Sequence, residues 1–247
     1  MVKQNRINLD MHGIPCLPNI VLGKDSSESI ITLNPTDHSL ILVGGTRVSP
    51  LIPFLQESIN ETIEYTTPEA AHIALIDPCS LLHVHEDEKS RFWSTPIHDI
   101  HDGMDVMREI IELLESRYAD LDEVGASDID EYIQRSGEKR ARILVIIPEI
   151  AMLLHAYPTR MEMYIHTLRR FGKRCGIHTI LATRQPVERD MRLIRESIDC
   201  SIAFPTYDVQ ESCCILGSPG AKELGGGELL YMEQGKDTRK LRSSLYP

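Results

Sequence analysis

The residues whose types and spacing could do chemistry lie where an apolar run leads into a helix. Leu40-Ile41-Leu42-Val43 ends at Gly44-Gly45, and a helical pattern begins near Pro50. Backbone N–H groups and the helix dipole together bind anions at such a junction. This position is therefore where a phosphate-binding loop is expected.

The residues at this junction do not follow the working phosphate-binding pattern, G-x-x-x-x-G-K-[ST]. Ser49, Pro50 and Leu51 replace the second glycine, the lysine and the hydroxyl that would hold Mg²⁺. Proline also removes an N–H donor, and Arg47 replaces neither the placed lysine nor the metal ligand. The sequence predicts a loop remnant with little capacity for hydrolysis, formed by Gly44, Gly45, Thr46, Arg47, Ser49 and Pro50.

A second candidate position follows the most apolar run of the chain, residues 143–147. An acidic pair is expected there to hold Mg²⁺ and to activate water, but the chain reads Pro148-Glu149. Glu149 is the candidate general base. The other interpretation is a solvated acid at the end of a strand, because metal and lysine are both missing.

Four histidines at 83, 85, 98 and 101 lie beside acidic residues, and zinc accepts such ligands. Their spacing matches no compact site, so we expect no metal and interpret the segment as a solvated, pH-sensitive loop.

One basic run stands out in an acidic chain. Arg169, Arg170, Lys173 and Arg174 could contact DNA phosphates or a partner. The same residues fall in the last turn of a predicted helix, where cations interact favourably with the C-terminus. Both interpretations remain open.

The remaining pattern alternates buried strands with helices. Strands are predicted at 39–43, 71–76, 143–147, 179–183, 201–204 and 228–232, with helices at 50–63, 103–119 and 161–175 and a short one from 193. This order indicates an α/β fold with a three-layer, mainly parallel sheet. We expect residues 1–30 to form an irregular segment with short strands, packed on one domain at 31–247, with a charged helical excursion at 121–142.

Composition narrows the class of protein. The chain has 247 residues, a net charge of −11 and 42% hydrophobic residues, as in an ordinary globular protein with no general basic field for nucleic acid. Six irregularly spaced cysteines indicate reduced thiols. With no signal peptide and no spanning segment, we expect a cytoplasmic protein without direct membrane insertion.

Several ordered segments resemble the FtsK/SpoIIIE family of hexameric DNA-translocating motors, over about residues 20–232. The matching segments are Leu22-Gly23-Lys24-Asp25, Leu75-Ile76-Asp77-Pro78, Glu115-Ser116-Arg117-Tyr118, the stretch 175–183, Ile202-Ala203-Phe204, Ile215-Leu216, Gly220-Ala221 and the stretch 225–231. The resemblance implies a P-loop NTPase fold of RecA-like type.

The chain departs from the family where its chemistry is expected. The family's Ala-Thr-Gln-Arg-Pro, whose glutamine senses the nucleotide, appears with Arg184 and Gln185 in inverted order. The family's Ser-Arg-Thr-Ile-Leu appears as Ser212-Cys213-Cys214-Ile215-Leu216. This combination is the pattern of a pseudo-ATPase.

Three functions remain open. The first hypothesis is a catalytically silent subunit of a translocation or secretion machine that contributes structure, docking or DNA contact. It would assemble with itself or with an active homologue in a ring, and it would need no cofactor. The second is an active DNA translocase that binds ATP and Mg²⁺ at an unorthodox site, with Arg47 or Arg184 as the cation. The third is a substrate-docking domain of a type VII-like secretion motor that binds a peptide near residues 44–51.

Overall fold

The computed structural model describes residues 16–46 and 48–243, which build one nine-stranded sheet with helices against it. The strands are β1 (Ile20–Lys24), β2 (Ile30–Leu33), β3 (Leu40–Gly44), β4 (Ala71–Leu75), β5 (Arg142–Ile147), β6 (Ile177–Thr183), β7 (Cys200–Ala203), β8 (Glu228–Glu233) and β9 (Arg239–Ser243). The helices are α1 (Leu51–Tyr65), α2 (Ile100–Val124), α3 (Ile129–Ser136), α4 (Ile150–Ala156), α5 (Pro158–Phe171), α6 (Glu188–Met191) and α7 (Val209–Leu216).

The sheet has a parallel half and an antiparallel half. Its order is β2-β1-β9-β8-β7-β3-β6-β5-β4. Strands β7, β3, β6, β5 and β4 are parallel to one another. Strands β8, β9, β1 and β2 follow β7 by antiparallel pairing. The carboxyl ends of the five parallel strands therefore meet at one edge of the sheet, which we call the carboxyl edge; the opposite edge is the amino edge.

Strand β3 shows why the sheet lies between two layers. Successive side chains of a strand point to opposite faces, and every residue of β3 is buried. Leu40 and Leu42 pack with α2, α4 and α5, whereas Ile41 and Val43 pack with α1 and the antiparallel strands. A strand that is buried on both faces needs the continuous apolar run that the sequence has there. The predicted three-layer, mainly parallel α/β fold is confirmed.

Local capping residues set the ends of several helices. Asp99 caps the first turn of α2 by accepting the N–H groups of His101 and Asp102. The same helix runs to Val124 and ends at Gly125, whose φ of 65° is a left-handed conformation that glycine adopts readily. The sequence predicts the end of this helix near residue 119. The helix continues for five more residues because Leu121 is buried in the core, while Asp122 and Glu123 face solvent.

One predicted element differs in kind. A short helix is predicted from Leu193, but the structure has α6 earlier, at Glu188–Met191, followed by a 3₁₀ turn at Arg195–Ser197. The N–H of Ile194 bonds to the carbonyl of Met191, three residues back. Met191 and Ile194 are both fully buried, and a three-residue pitch places them on the same side.

Candidate functional site

The loop remnant begins at Gly44, which β3 carries to the carboxyl edge. A Cβ atom at Gly44 would lie 2.3 Å from Cδ1 of Ile215 on α7, so close helix packing explains this glycine. A Cβ atom at Gly45 would lie 2.6 Å from the hydroxyl oxygen of Ser49. Both glycines are therefore required by packing against protein atoms.

The backbone N–H groups of the remnant are bonded to the protein itself. The N–H of Gly45 donates to the carbonyl of Thr183 at 3.3 Å, and the N–H of Thr46 donates to that of Pro205 at 3.0 Å. Ser49 closes the turn, because its N–H and its hydroxyl both donate to the carbonyl of Thr46, at 3.1 and 2.7 Å. A phosphate-binding loop needs such N–H groups aimed at the ligand. Here three of them are directed to carbonyl oxygens.

The start of α1 adds few donors. Pro50 is the N-cap residue, and neither it nor Pro53 in the first turn has an N–H. Leu51, at the position of the Mg²⁺-binding hydroxyl, is fully buried in the core. The described residues of the remnant therefore do not fit a magnesium nucleotide in the way that the working pattern requires. Arg47 lies outside the described residues.

Glu149 follows β5 at the same edge and is 7% exposed. Its Oε1 accepts the hydroxyl hydrogen of Thr183 at 2.6 Å, and its Oε2 accepts the N–H of Arg184 at 3.2 Å. The Nε atom of Arg184 lies 3.6 Å from Oε2. Both carboxylate oxygens are thus held by the end of β6. This arrangement connects the ends of β5 and β6 through the side chain of Glu149.

Arg184 and Gln185 are thereby brought next to Glu149, as their positions after β6 predict. The N–H of Gln185 donates to the hydroxyl oxygen of Thr183 at 3.2 Å, so this hydroxyl links Glu149 to the following turn. The structure thus brings three sequence-predicted site residues together.

A cavity of about 420 Å³ opens beside this group, in the size range of small-ligand pockets. Residues that follow β4, β5 and β6 form its wall, mainly with apolar surface; they are Cys79, Ile100, Glu149, Ala151, Met152, His155, Ala156, Arg184, Gln185, Val187 and Asp190. Cys79 Sγ lies 3.1 Å from Met152 Sδ, and burial raises the pKa of this thiol. Arg189 Nη2 lies 2.5 Å from His155 Nδ1 at the rim.

Sequence reasoning missed Cys79, Met152, His155 and Asp190. Each follows a parallel strand that the sequence does predict, and ligands of open α/β sheets bind outside the carboxyl ends of the strands. That rule was the available signal, but it does not tell which residue after each strand turns inward.

The predicted basic run lies at the amino edge, at the end of α5 and just before β6. Arg169 pairs with Asp199 at 2.6 Å and bonds to Gln234 at 2.9 Å. Arg170, Lys173 and Arg174 are exposed. The basic run and the carboxyl edge therefore lie at opposite ends of the parallel strands.

The histidine segment has contacts of its own. His98 Nδ1 lies 2.9 Å from the carbonyl oxygen of Asp77, and His101 Nδ1 contacts the hydroxyl of Tyr157. Over residues 16–46 and 48–243, no group of three or more His, Cys, Asp or Glu side chains is placed to hold a metal ion. In the same ranges, no helix combines the length and apolar character needed to cross a membrane.

The segment at 212–216 forms most of α7. The hydroxyl of Ser212 donates to the carbonyl of Ser218 at 2.9 Å and accepts the N–H of Ala221 at 3.0 Å. Cys214 Sγ lies 3.3 Å from Glu188 Oε2. These contacts link α7 to its own loop and to α6.

Solved structures give the class of the fold. The conjugation coupling protein TcpA of pCW3 aligns with a TM-score of 0.80 and 20% identity, covering 98% of this chain and 70% of that chain. The cytoplasmic domain of the type VII secretion ATPase EccC of Thermomonospora curvata aligns with a TM-score of 0.76 and 17% identity, covering 97% of this chain and 30% of that chain. The fold is that of a P-loop ATPase domain.

Comparison with curated proteins shows which P-loop ATPases this chain is similar to in sequence. The DNA translocase FtsK of Tropheryma whipplei is 27% identical over 233 residues, which are 88% of this chain and 31% of that protein. The DNA translocase SftA of Bacillus subtilis is 29% identical over 223 residues, which are 87% of this chain and 23% of that protein. No protein-family model matches the chain. Over most of its length the chain is similar to DNA translocases named FtsK and SftA, and it spans about a quarter to a third of the length of these relatives.

Proposed function

We propose that this chain is a catalytically silent P-loop-fold domain of the FtsK/SpoIIIE type. It serves as a structural, docking or DNA-contacting subunit of a translocation or secretion machine, and hydrolysis is carried out elsewhere in that machine. In this proposal the domain includes β1, because β1 pairs with both β2 and β9 in the same sheet; the first half of the segment expected at 1–30, residues 1–15, lies outside the described residues.

The observation that carries the proposal is the loop that closes on itself. The carbonyl of Thr46 accepts both the N–H and the hydroxyl of Ser49, and the N–H groups of Gly45 and Thr46 donate to the carbonyls of Thr183 and Pro205. A nucleotide would have to break these bonds to gain the donors that a phosphate needs. Each broken bond leaves a buried acceptor unsatisfied, at a cost of about 1–3 kcal/mol.

The environment of Glu149 supports the same conclusion. The carboxylate of Glu149 accepts one hydrogen bond on each oxygen, from Thr183 and from the N–H of Arg184, and it lies beside the guanidinium of Arg184. These contacts favour the charged, fixed form of the carboxylate over a role in taking up a proton from water. We therefore assign Glu149 the role of a structural link between β5 and β6.

Partners of the chain are part of the proposal. The relatives carry the name DNA translocase, and one structure with the same fold is a type VII secretion ATPase. A silent domain of this fold would complete a ring or a stack, either with further copies of itself or with an active homologue that supplies ATP and Mg²⁺ binding.

The test is calorimetric titration of the chain with ATP and Mg²⁺, beside a hydrolysis assay with and without DNA. We expect neither heat of binding nor turnover, in the wild type and in Glu149→Gln alike. Magnesium-dependent turnover that disappears in Glu149→Gln would overturn the proposal. That result would favour the active translocase, with Arg47 or Arg184 as its cation.

A second candidate function is the docking of a peptide substrate. It rests on the cavity at the carboxyl edge, whose mainly apolar wall also carries Arg184, Gln185 and Asp190. Peptide arrays of secreted substrates test it, with Met152→Glu as the variant that places a charge in the apolar wall. Binding that survives Met152→Glu would exclude this cavity as the docking site.

A further inference from the structure

Three cations at the amino edge form a surface of their own, which we call the basic patch: Arg170, Lys173 and Arg174. Helix α5 ends at Phe171, and the chain then turns through residues 172–176 into β6. All three side chains of the basic patch are exposed. The patch therefore lies at the opposite edge of the sheet from the loop remnant and the cavity.

Two aromatic rings hold the arginines of the patch in place. The guanidinium carbon of Arg174 lies 5.5 Å from the ring centre of Tyr118, and that of Arg170 lies 4.9 Å from the ring centre of Phe171. The two rings meet edge to face, with centres 4.9 Å apart. A guanidinium that contacts a ring in this way can still direct its terminal N–H groups to planar acceptors. The pair of rings thus positions two arginines in advance of binding.

The patch has no acidic partner among residues 16–46 and 48–243. The structure gives no ion pair to Arg170, Lys173 or Arg174, and the side chain of Arg174 donates to a backbone carbonyl, that of Ser127, at 2.7 Å. Arg169, by contrast, is bound to Asp199 and Gln234. In a chain with 37 acidic and 26 basic residues, three adjacent cations without a carboxylate are unexpected.

Side-chain hydrogen bonds to the carbonyls of Leu168 and Phe171 do not account for the patch. The carbonyl of Leu168 accepts the N–H of Gly172 at 2.7 Å, and that of Phe171 accepts the N–H of Cys175 at 3.0 Å. The carbonyl of Gly172 accepts the N–H of Ile177 at 2.8 Å. Backbone donors thus satisfy the carbonyls of Leu168 and Phe171. The side chains of Arg170 and Lys173, and the terminal N–H groups of Arg174, are left for another acceptor.

The chemistry of the patch selects the class of partner. The large exposed hydrophobic residues lie elsewhere in the described chain, so an apolar protein surface or a lipid interior has nothing to contact here. Two guanidinium groups that are held against aromatic rings, with a lysine beside them, match the oxygens of phosphate groups. We propose that Arg170, Lys173 and Arg174 bind the phosphodiester backbone of nucleic acid without reading its sequence. This inference deepens the proposed function, because it assigns the DNA contact of the silent domain to the amino edge.

The salt dependence of binding measures this contact directly. Each neutralised phosphate contributes about 0.9 to the slope of log K against log salt on a duplex, so three contacts give a slope of about −2.7. The experiment titrates the chain onto a short fluorescein-labelled duplex of arbitrary sequence, by anisotropy, between about 50 and 200 mM salt. We expect the triple variant R170Q/K173Q/R174Q to abolish the slope.

Two control variants separate the patch from net charge and from folding. R160Q/R192Q/K222Q removes the same charge from three exposed residues away from the patch and should keep the slope of the wild type. R170K/R174K keeps the charges and should keep most of the slope.

Equal losses in the patch variant and in R160Q/R192Q/K222Q would overturn the inference, and so would the absence of duplex binding at the lowest salt. Preferential binding of polyglutamate over the duplex would also overturn it, in favour of an acidic protein partner. These results are independent of the nucleotide assays, because loss of duplex binding would not change the expected absence of ATP binding and hydrolysis. Turnover of ATP with an intact slope would overturn the proposed function alone.

Discussion

Restoring the residues of the phosphate-binding pattern should lower the stability of the protein without restoring nucleotide binding. The variant S49G/P50K/L51T returns the glycine, lysine and hydroxyl to the loop. Leu51 is fully buried, so L51T removes apolar packing and adds a hydroxyl to the core, at about 2–4 kcal/mol.

The other two changes add to this cost. S49G deletes the hydroxyl that bonds to Thr46, worth about 0.5–1.5 kcal/mol. P50K increases the freedom of the unfolded chain, by about 0.4–1 kcal/mol. The triple variant should therefore lose about 3–6 kcal/mol of the 5–15 kcal/mol typical of a domain.

Urea unfolding followed by circular dichroism measures the loss, and calorimetric titration with ATP and Mg²⁺ measures any binding. V48T is the matched control, because Val48 is 81% exposed in the same loop; it should change stability by less than about 0.5 kcal/mol. A triple variant with wild-type stability and tight ATP binding would refute the reasoning, because it would mean that the loop still holds a phosphate-binding conformation.

Three further predictions concern the scaffold. Arg117 is buried and donates to the carbonyls of Cys175 and Ala141, so R117M should lower the free energy of unfolding by about 2–4 kcal/mol in urea melts. The control R108M changes an exposed arginine and should lower it by less than about 0.5 kcal/mol. G44A should cost about 1–3 kcal/mol because its methyl group meets Ile215, and I215V should recover part of that loss in a double-mutant cycle. Burial lowers the pKa of His178 to about 3, so the folded state keeps this side chain neutral while the unfolded chain takes up a proton below pH 6.5. The free energy of unfolding should therefore fall by about 2 kcal/mol between pH 6.5 and 5. H178Q should flatten this part of the plot of stability against pH.

The parallel half of the sheet was predictable because each of its strands is an apolar run that is buried on both faces. Strand β9 was not predicted, since its residues Arg239–Ser243 are mostly charged and it is recognisable as a strand only beside β8 and β1. Helices α4 and α7 are short and lack a long apolar period, so packing against the sheet rather than sequence pattern defines them.

The candidate site also has features that the sequence predicts and contacts that only the structure shows. The missing lysine, hydroxyl and aspartate are matters of residue type, and the sequence alone reveals them. The partners of the loop amides are the carbonyls of Thr183 and Pro205, which are more than a hundred residues away along the chain. Likewise, the arginine and aromatic contacts of the basic patch require Tyr118 of α2 to meet Phe171 of α5, a contact that local sequence does not encode.

The antiparallel half of the sheet has a consequence for synthesis of the chain. Strand β1 lies between β2 and β9, so it is paired with a strand that is made more than two hundred residues later. All five parallel strands have emerged from the ribosome once β7 is complete, whereas β1 and β2 must wait for Arg239–Ser243. During that interval the hairpin of β1 and β2 has one sheet edge without its neighbour, and an unpaired edge is a template for pairing with other chains. Strand β9 therefore covers the edge of β1 that would otherwise stay open.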